Sequence, residues 1–196
     1  MAAVTTDLPA APAARGRHIL VGTGFAVAAC IMFFAGLFGV YFRERAAVRG
    51  TDTTWIDGRI ELTPPTMIMW TLLISIAVMQ WAVYSIARDD RQHALLAIGA
   101  TLTMGSMVLV QTAFQYIQMG LVIDAPPVSS TLIYTISGAH LAMVIGGMLF
   151  IALMGFRALA GQYSSRQTDG IVAASIFWYA TVLVYFVLWI GIFIAK

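Results

Sequence analysis

The chain has 196 residues, of which 60% are hydrophobic and only 10% charged, with a formal net charge of +2. Soluble domains carry about 25% charged residues, so water is not this chain's main solvent. Its 11 basic residues are scattered rather than gathered into a stripe that could track a phosphate backbone, which argues against nucleic acid as a partner.

Residues 1–14 are rich in Ala, Pro and Thr and hold too little large apolar surface to offset the entropy of ordering. They predict a mobile tail, taken as residues 1–18, ahead of a single membrane domain over 19–196. Arg15 and Arg17 resemble the basic region of a signal peptide, but the apolar run 19–42 is far longer than the roughly 7 to 15 residues of a cleavable core. It is expected to stay as a spanning helix.

Further apolar runs follow at 66–87, 94–117, 131–156 and 171–195, and none of the five contains Asp, Glu, Lys or Arg. Each is long enough to cross about 30 Å of hydrocarbon at about 1.5 Å per residue. The runs lack the alternation of a membrane barrel, and lipid admits only helices and closed barrels. The fold class is therefore all-α, a five-helix transmembrane bundle. Pro64 and Pro65 open the second run, Arg-Asp-Asp-Arg at 88–91 separates the second from the third, and Pro126 and Pro127 precede the fourth. The first connection, 43–63, carries Trp55 and mixed charge, which suggests an interfacial segment.

Arg15, Arg17, Arg88, Arg91, Arg157 and Arg166 fall on one side of such a bundle, and Arg43, Arg45, Arg49, Arg59 and Lys196 on the other. The small excess places the N-terminus in the cytoplasm and the C-terminus outside. No internal repeat is visible, which disfavours transporters built on inverted repeats.

Of the three histidines, His18 and His93 stand at the starts of spans and only His140 lies at depth. A haem needs at least one placed axial ligand, a haem-copper centre several histidines, and a thiolate-copper site more than one sulfur ligand with imidazoles, and the inventory of His140 and Cys30 is read as failing each test. No catalytic, cofactor or metal residue is expected in this chain. His140 is either a proton-relay group or a neutral ring tying two helices by hydrogen bonds, and the second reading is favoured. Gln111, Gln115 and Gln118 share one face of the third span and read as interhelical ties, with Gln118 at headgroup level. Gly138, Ala142 and Gly146 recur four residues apart, beside Ala139 and Gly147, as do Ala35 and Gly39 in span one; such rows predict close packing within the chain. Phe33, Phe34, Phe38, Tyr41 and Phe42 read as an interfacial belt.

The run Cys-Ile-Met-Phe-Phe-Ala-Gly-Leu-Phe-Gly-Val-Tyr-Phe at 30–42 resembles the signature of subunit III of the haem-copper cytochrome c oxidases. Tyr-Thr-Ile-Ser-Gly-Ala-His at 134–140, followed by Val-Ile-Gly-Gly at 144–147, resembles that family's histidine motif, and 111–116 sits where another family motif is found. The similarity runs through all five spans in order and resembles the short bacterial and actinobacterial form that lacks the first two helices. The chain departs from the pattern at Cys30 and Gln115, where the family has glutamates, at Met143 in place of a histidine, and at Trp-Tyr-Ala-Thr-Val, 178–182.

The resemblance implies a subunit without redox centre, packed on oxidase subunit I, associated with subunit II and with a larger respiratory supercomplex. Haem and copper are then expected in partner subunits, and phospholipid is expected to be bound. It also implies a bacterial plasma-membrane location and an oxidase that takes electrons from cytochrome c to oxygen. A quinol oxidase or nitric oxide reductase component would share the fold, and a small channel or transporter is the alternative from another class.

Overall fold

The computed structural model describes residues 17–49, 51, 55, 61–121, 128–165 and 167–195. Residues 1–16 of the tail expected over 1–18, the Pro126–Pro127 pair, most of the first connection, and Arg15, Arg59, Arg166 and Lys196 lie outside the described residues. Five long helices account for nearly everything else: α1 (His18–Val48), α2 (Thr63–Ala87), α3 (Arg91–Met119), α4 (Ser129–Leu159) and α5 (Asp169–Leu188). A π-helical turn, Trp189–Ile194, prolongs α5, so that five helices are long and apolar enough to cross a membrane. No strand occurs among the described residues.

The helices outrun the charge-free spans, because helical hydrogen bonding does not stop where hydrocarbon does. α1 continues from Phe42 through Arg43, Glu44 and Arg45 to Val48, lifting a charged segment beyond the apolar zone. Pro64 and Pro65 occupy the first turn of α2, where a missing N–H costs nothing. Asp90 caps α3 by accepting from the His93 backbone N–H at 3.2 Å, and its other oxygen lies 2.7 Å from His93 Nδ1. The backbone N–H of His93 holds the Asp90 carboxyl below its ordinary 3.8, with the His93 ring adding to the effect. Gly120 ends α3 in the left-handed region at φ 54°, a conformation cheap only for glycine.

Packing partners fix the helix directions. Met148 lies against Gly105, Ile98 against Gly155, and Tyr116 against Ser137, so α3 and α4 run antiparallel. α2 and α5 are antiparallel as well, since Ser75 meets Trp178 while Pro65 meets Tyr185. The α1 ring of Phe42 lies against Gly191, while Ile31 and Phe34, earlier in α1, share a groove with Leu183 and Val184, earlier in α5, so α1 runs parallel to α5. α5 is the hub, touching α1, α2 and α4, and 61% of its apolar window is buried; for α1, at the periphery, the share is 17%.

Two sequence expectations change here. Phe34, Phe38 and Tyr41 are buried in the core rather than forming an interfacial belt; only Phe33 and Phe42 of that group are exposed. The small-residue row of α4 also points elsewhere than expected. Gly147 is the glycine that packs, against the Trp178 and Phe177 rings, while Ala142 and Gly146 face outward and an added Cβ at Gly146 would meet nothing within 4 Å. Ala35 and Gly39 of α1 are likewise exposed. A spacing of four identifies a common face but not what lies opposite it.

Two measurements check this packing. A Cβ at Gly147 would stand 3.0 Å from Trp178 Cε3, so Gly147→Val should overpack the α4–α5 contact and cost about 1–3 kcal/mol, read as a lower thermal midpoint in detergent. Gly146→Val should leave that midpoint unchanged in the isolated chain. At the other end of the bundle, a carboxylate with a depressed pKa stabilises above its unfolded pKa and loses that contribution as pH falls through the folded value. Protection of the His93 amide from hydrogen exchange, taken relative to its intrinsic rate at each pH, should therefore fall as pH is lowered below about 4, and Asp90→Ala should remove the dependence.

Candidate functional site

In hydrocarbon a polar group without a partner costs several kcal/mol, so the positions of buried polar side chains reveal what the chain must hold together. They occur on every helix, but the bonds that cross between helices converge on α5. Trp178, fully buried, donates its indole N–H to Ser75 Oγ at 2.9 Å, and that hydroxyl donates in turn to the Leu72 carbonyl at 2.6 Å. His140 Nε2 lies 3.1 Å from the Thr181 carbonyl oxygen. Because a carbonyl only accepts, the ring carries its proton on Nε2 and donates. The ring centre is 5.0 Å from that of Tyr185, whose hydroxyl donates to the Pro65 carbonyl at 3.0 Å. One turn further on, Trp189 Nε1 donates to Thr66 Oγ1 at 3.3 Å.

A second set of ties joins the helices around this hub. Tyr116 of α3 donates to Ser137 of α4 at 2.9 Å, and the Ser137 hydroxyl donates to the Ile133 carbonyl at 2.6 Å. Gln111 is half-buried and lies 3.4 Å from the Thr71 hydroxyl of α2, although that hydroxyl has a shorter bond to the Met67 carbonyl at 2.9 Å. Gln115 is buried on the same face of α3 as Thr101, Val108 and Thr112, whereas Gln118 is exposed. On α1, the buried Tyr41 hydroxyl accepts from Trp55 Nε1 at 3.2 Å, which brings Trp55 over the end of the bundle.

The sequence-derived candidates thus separate into two groups. His140, Gln115 and, in part, Gln111 lie within the bundle, and Gly138 is half-buried beside the Tyr116 hydroxyl. Ala142 and Gly146 stand on the outer surface, and Cys30 is half-exposed on α1. Ser75 and Tyr185 carry no signal in the sequence reading, and Trp178 and Thr181 enter it only within the departing stretch 178–182, though one signal of their structural role is available. A tryptophan in mid-span, away from the interfacial positions tryptophan favours, must find an acceptor for its N–H.

Chemically, this arrangement binds helices to one another. Among the described residues no fully buried side-chain nitrogen or oxygen lacks a hydrogen-bond partner, and no group of three or more His, Cys, Asp or Glu could hold a metal ion. His140, the one deep imidazole, already spends Nε2 on the Thr181 carbonyl. Ser75→Ala should strand the Trp178 N–H and destabilise the chain by about 1 kcal/mol. Thermal unfolding in detergent reads the shift, and Ser75→Thr, which keeps an acceptor, should reduce the loss.

The model of the family described as cytochrome c oxidase subunit III matches residues 11–195. Among known proteins, cytochrome c oxidase subunit 3 of Corynebacterium diphtheriae is 28% identical over 185 residues, spanning 92% of this chain and 87% of the relative. The probable cytochrome c oxidase subunit 3 of Nocardia farcinica is 27% identical over 185 residues, spanning 91% of this chain and 87% of the relative. Cytochrome c oxidase subunit 3 of Bos taurus is 27% identical over 168 residues, which are 83% of this chain and 64% of the bovine protein.

Proposed function

The chain belongs to the cytochrome c oxidase subunit III family, and from that premise we propose how it serves its complex: as a scaffold without redox chemistry of its own. It is a multi-pass membrane protein and a subunit III of a haem-copper oxidase, assembled with other subunits. In the proposed reading the chain packs against the catalytic subunit I, stands close to subunit II, and holds phospholipid in its outer grooves. Electrons pass from cytochrome c to oxygen through haem and copper carried by those partners. A quinol donor is the second reading within the same family; a channel or transporter has no supporting feature in the bundle.

The observation that carries the scaffold reading is the use made of His140. A relay group must be able to take up and release a proton along a path, whereas His140 is buried and donates to the backbone of α5. Cys30 and Gln115 stand where carboxylates are expected from the family pattern, and an amide does not titrate. The outward row of Ala142 and Gly146 supports a role in contact with a partner helix, because small residues let backbones approach closely.

For topology, the proposal sets the chain in a bacterial plasma membrane with its N-terminus in the cytoplasm and the 43–63 connection outside. Single cysteines introduced at Thr5 and Thr54 should then be labelled from opposite sides, and labelling of both from one side would contradict it.

The scaffold role itself is tested by His140→Ala, which removes the tie to Thr181 and leaves a void in the bundle, at a cost of roughly 1 to 3 kcal/mol. The yield of assembled complex should fall severalfold while oxygen consumption per haem stays near that of the wild type. Normal yield with a large loss of turnover per haem would make His140 part of a proton path.

A further inference from the structure

The hub helix α5 is covered on every side but one. Val172, Ile176, Tyr179, Leu183, Phe186 and Ile190 follow one another at spacings of three and four, so they form one stripe along the helix. Each of them is exposed or half-buried, while Trp178, Thr181, Tyr185 and Leu188 on the opposite face are buried. α1 meets one flank of the stripe at Leu183 and Val187, and α2 meets the other through the bonds of Gln80 with Tyr179 and of Thr66 with Trp189. Since α1 and α2 make no sustained contact with each other, the stripe is the floor of an open trough. From Val172 to Ile190 it runs about 27 Å at about 1.5 Å per residue, close to a full hydrocarbon core of about 30 Å.

One wall of this trough carries a polar group that the bundle does not satisfy. Among the described residues of the charge-free runs, Gln80 is the one exposed side-chain amide. Measured from Ala87, where its run ends, it stands about 10 Å inside the hydrocarbon at about 1.5 Å per residue. Its Oε1 accepts from the Tyr179 hydroxyl at 2.7 Å, and its N–H donors have no partner among the described residues. The exposed hydroxyls of Thr103, Ser106 and Thr135 avoid that cost by donating to the carbonyl four residues back, and Gln80 does not. Acyl chains offer no acceptor at this depth, so the donors stay unpaired unless another chain supplies one.

From this juxtaposition we propose that the trough docks one transmembrane helix of a single-span subunit, which presents to Gln80 a side chain that accepts its hydrogen bonds, such as Ser, Thr, Asn or Gln. A stripe at spacings of three and four is the seam of a single packed helix, and its length is that of one span. Ile176, Leu183, Phe186 and Ile190 supply the apolar floor, and α1 and α2 flank an incoming helix of about 10 Å diameter on both sides. A catalytic subunit of many helices presents a broad face, for which the outward row of Ala142 and Gly146 on α4 is the better match; a walled trough suits a lone helix. Apolar contact alone does not distinguish a helix from lipid, so the amide supplies the selectivity, disfavouring a helix with an apolar side chain at that depth. The proposal adds a partner to the scaffold of the proposed function, and it rests on that reading.

The test places a photoreactive residue at Leu183 of the intact complex in its native membrane. Irradiation should join this chain to a polypeptide that spans the membrane once, and mass spectrometry of the adduct should find an accepting side chain on that helix within one turn of the depth of Gln80. In the detergent-washed complex, the amount of that polypeptide per haem should fall about fivefold in Gln80→Leu, the ratio for about 1 kcal/mol. Tyr179→Phe, which removes the bond within this chain but keeps the amide, should retain it. Adducts only to subunit I, to subunit II, to a second copy of this chain or to lipid overturn the proposal, as does equal retention by wild type and Gln80→Leu, or an equal loss in Tyr179→Phe. Each of these leaves the scaffold reading intact. A chain that purifies without haem-bearing partners contradicts the scaffold reading, and the proposal with it.

Discussion

Hydrocarbon offers no hydrogen bonds, so each polar group carried into the membrane must find its partner within the bundle, and the arrangement of the five helices follows from that constraint. Hydrophobicity cannot decide which helices touch, because lipid tails are as apolar as leucine. Close packing and polar ties must do so, and here both converge on α5. Its Trp178 fills the space left open by Gly147 on α4 and donates to Ser75 on α2. The Thr181 carbonyl accepts from His140, and Tyr185 reaches the Pro65 carbonyl. Removing any one of these groups leaves a polar atom stranded or a void open at the helix on which α1, α2 and α4 lean.

The same constraint links the fold to the chain's part in an oxidase. With its deep polar groups committed to backbone and hydroxyl partners, the bundle interior is suited to rigidity rather than to ligand exchange. Its chemistry with other molecules lies on the outside. There the outer face of α4 is smooth at Ala142 and Gly146, and α1 exposes Phe25 and Met32. A chain of this composition is built to be surrounded by lipid and by other subunits.

Much of this architecture was legible in the sequence. Five charge-free runs separated by Pro pairs and Arg-Asp-Asp-Arg gave the number and order of the helices, because the cost of a charge in hydrocarbon leaves a sharp trace in composition. The resemblance around 30–42 and 134–140 pointed to the family that the comparison over residues 11–195 supports. Less legible were helix ends and facing. α1 extends to Val48 because nothing in Arg43–Glu44–Arg45 opposes helix outside the membrane. Gly146 and Gly147 are adjacent in sequence, yet one faces outward and the other receives Trp178, a distinction set by where α5 lies. The bond between Ser75 and Trp178 joins residues 103 positions apart, which no local pattern encodes. Phe34, Phe38 and Tyr41 were misplaced for the same reason, since an aromatic near a span end can serve the interface or the core.

The central claim is that this chain contributes structure while its partners contribute the redox centres. The most direct test is to remove the chain from the purified oxidase and follow both parts. The account predicts that the visible haem spectrum and the initial rate of oxygen consumption per haem stay with the remaining subunits, that the separated chain shows no haem absorption, and that the depleted complex unfolds at a lower temperature. Haem travelling with this chain, or an initial rate per haem that collapses while the remaining complex keeps its stability, would contradict it.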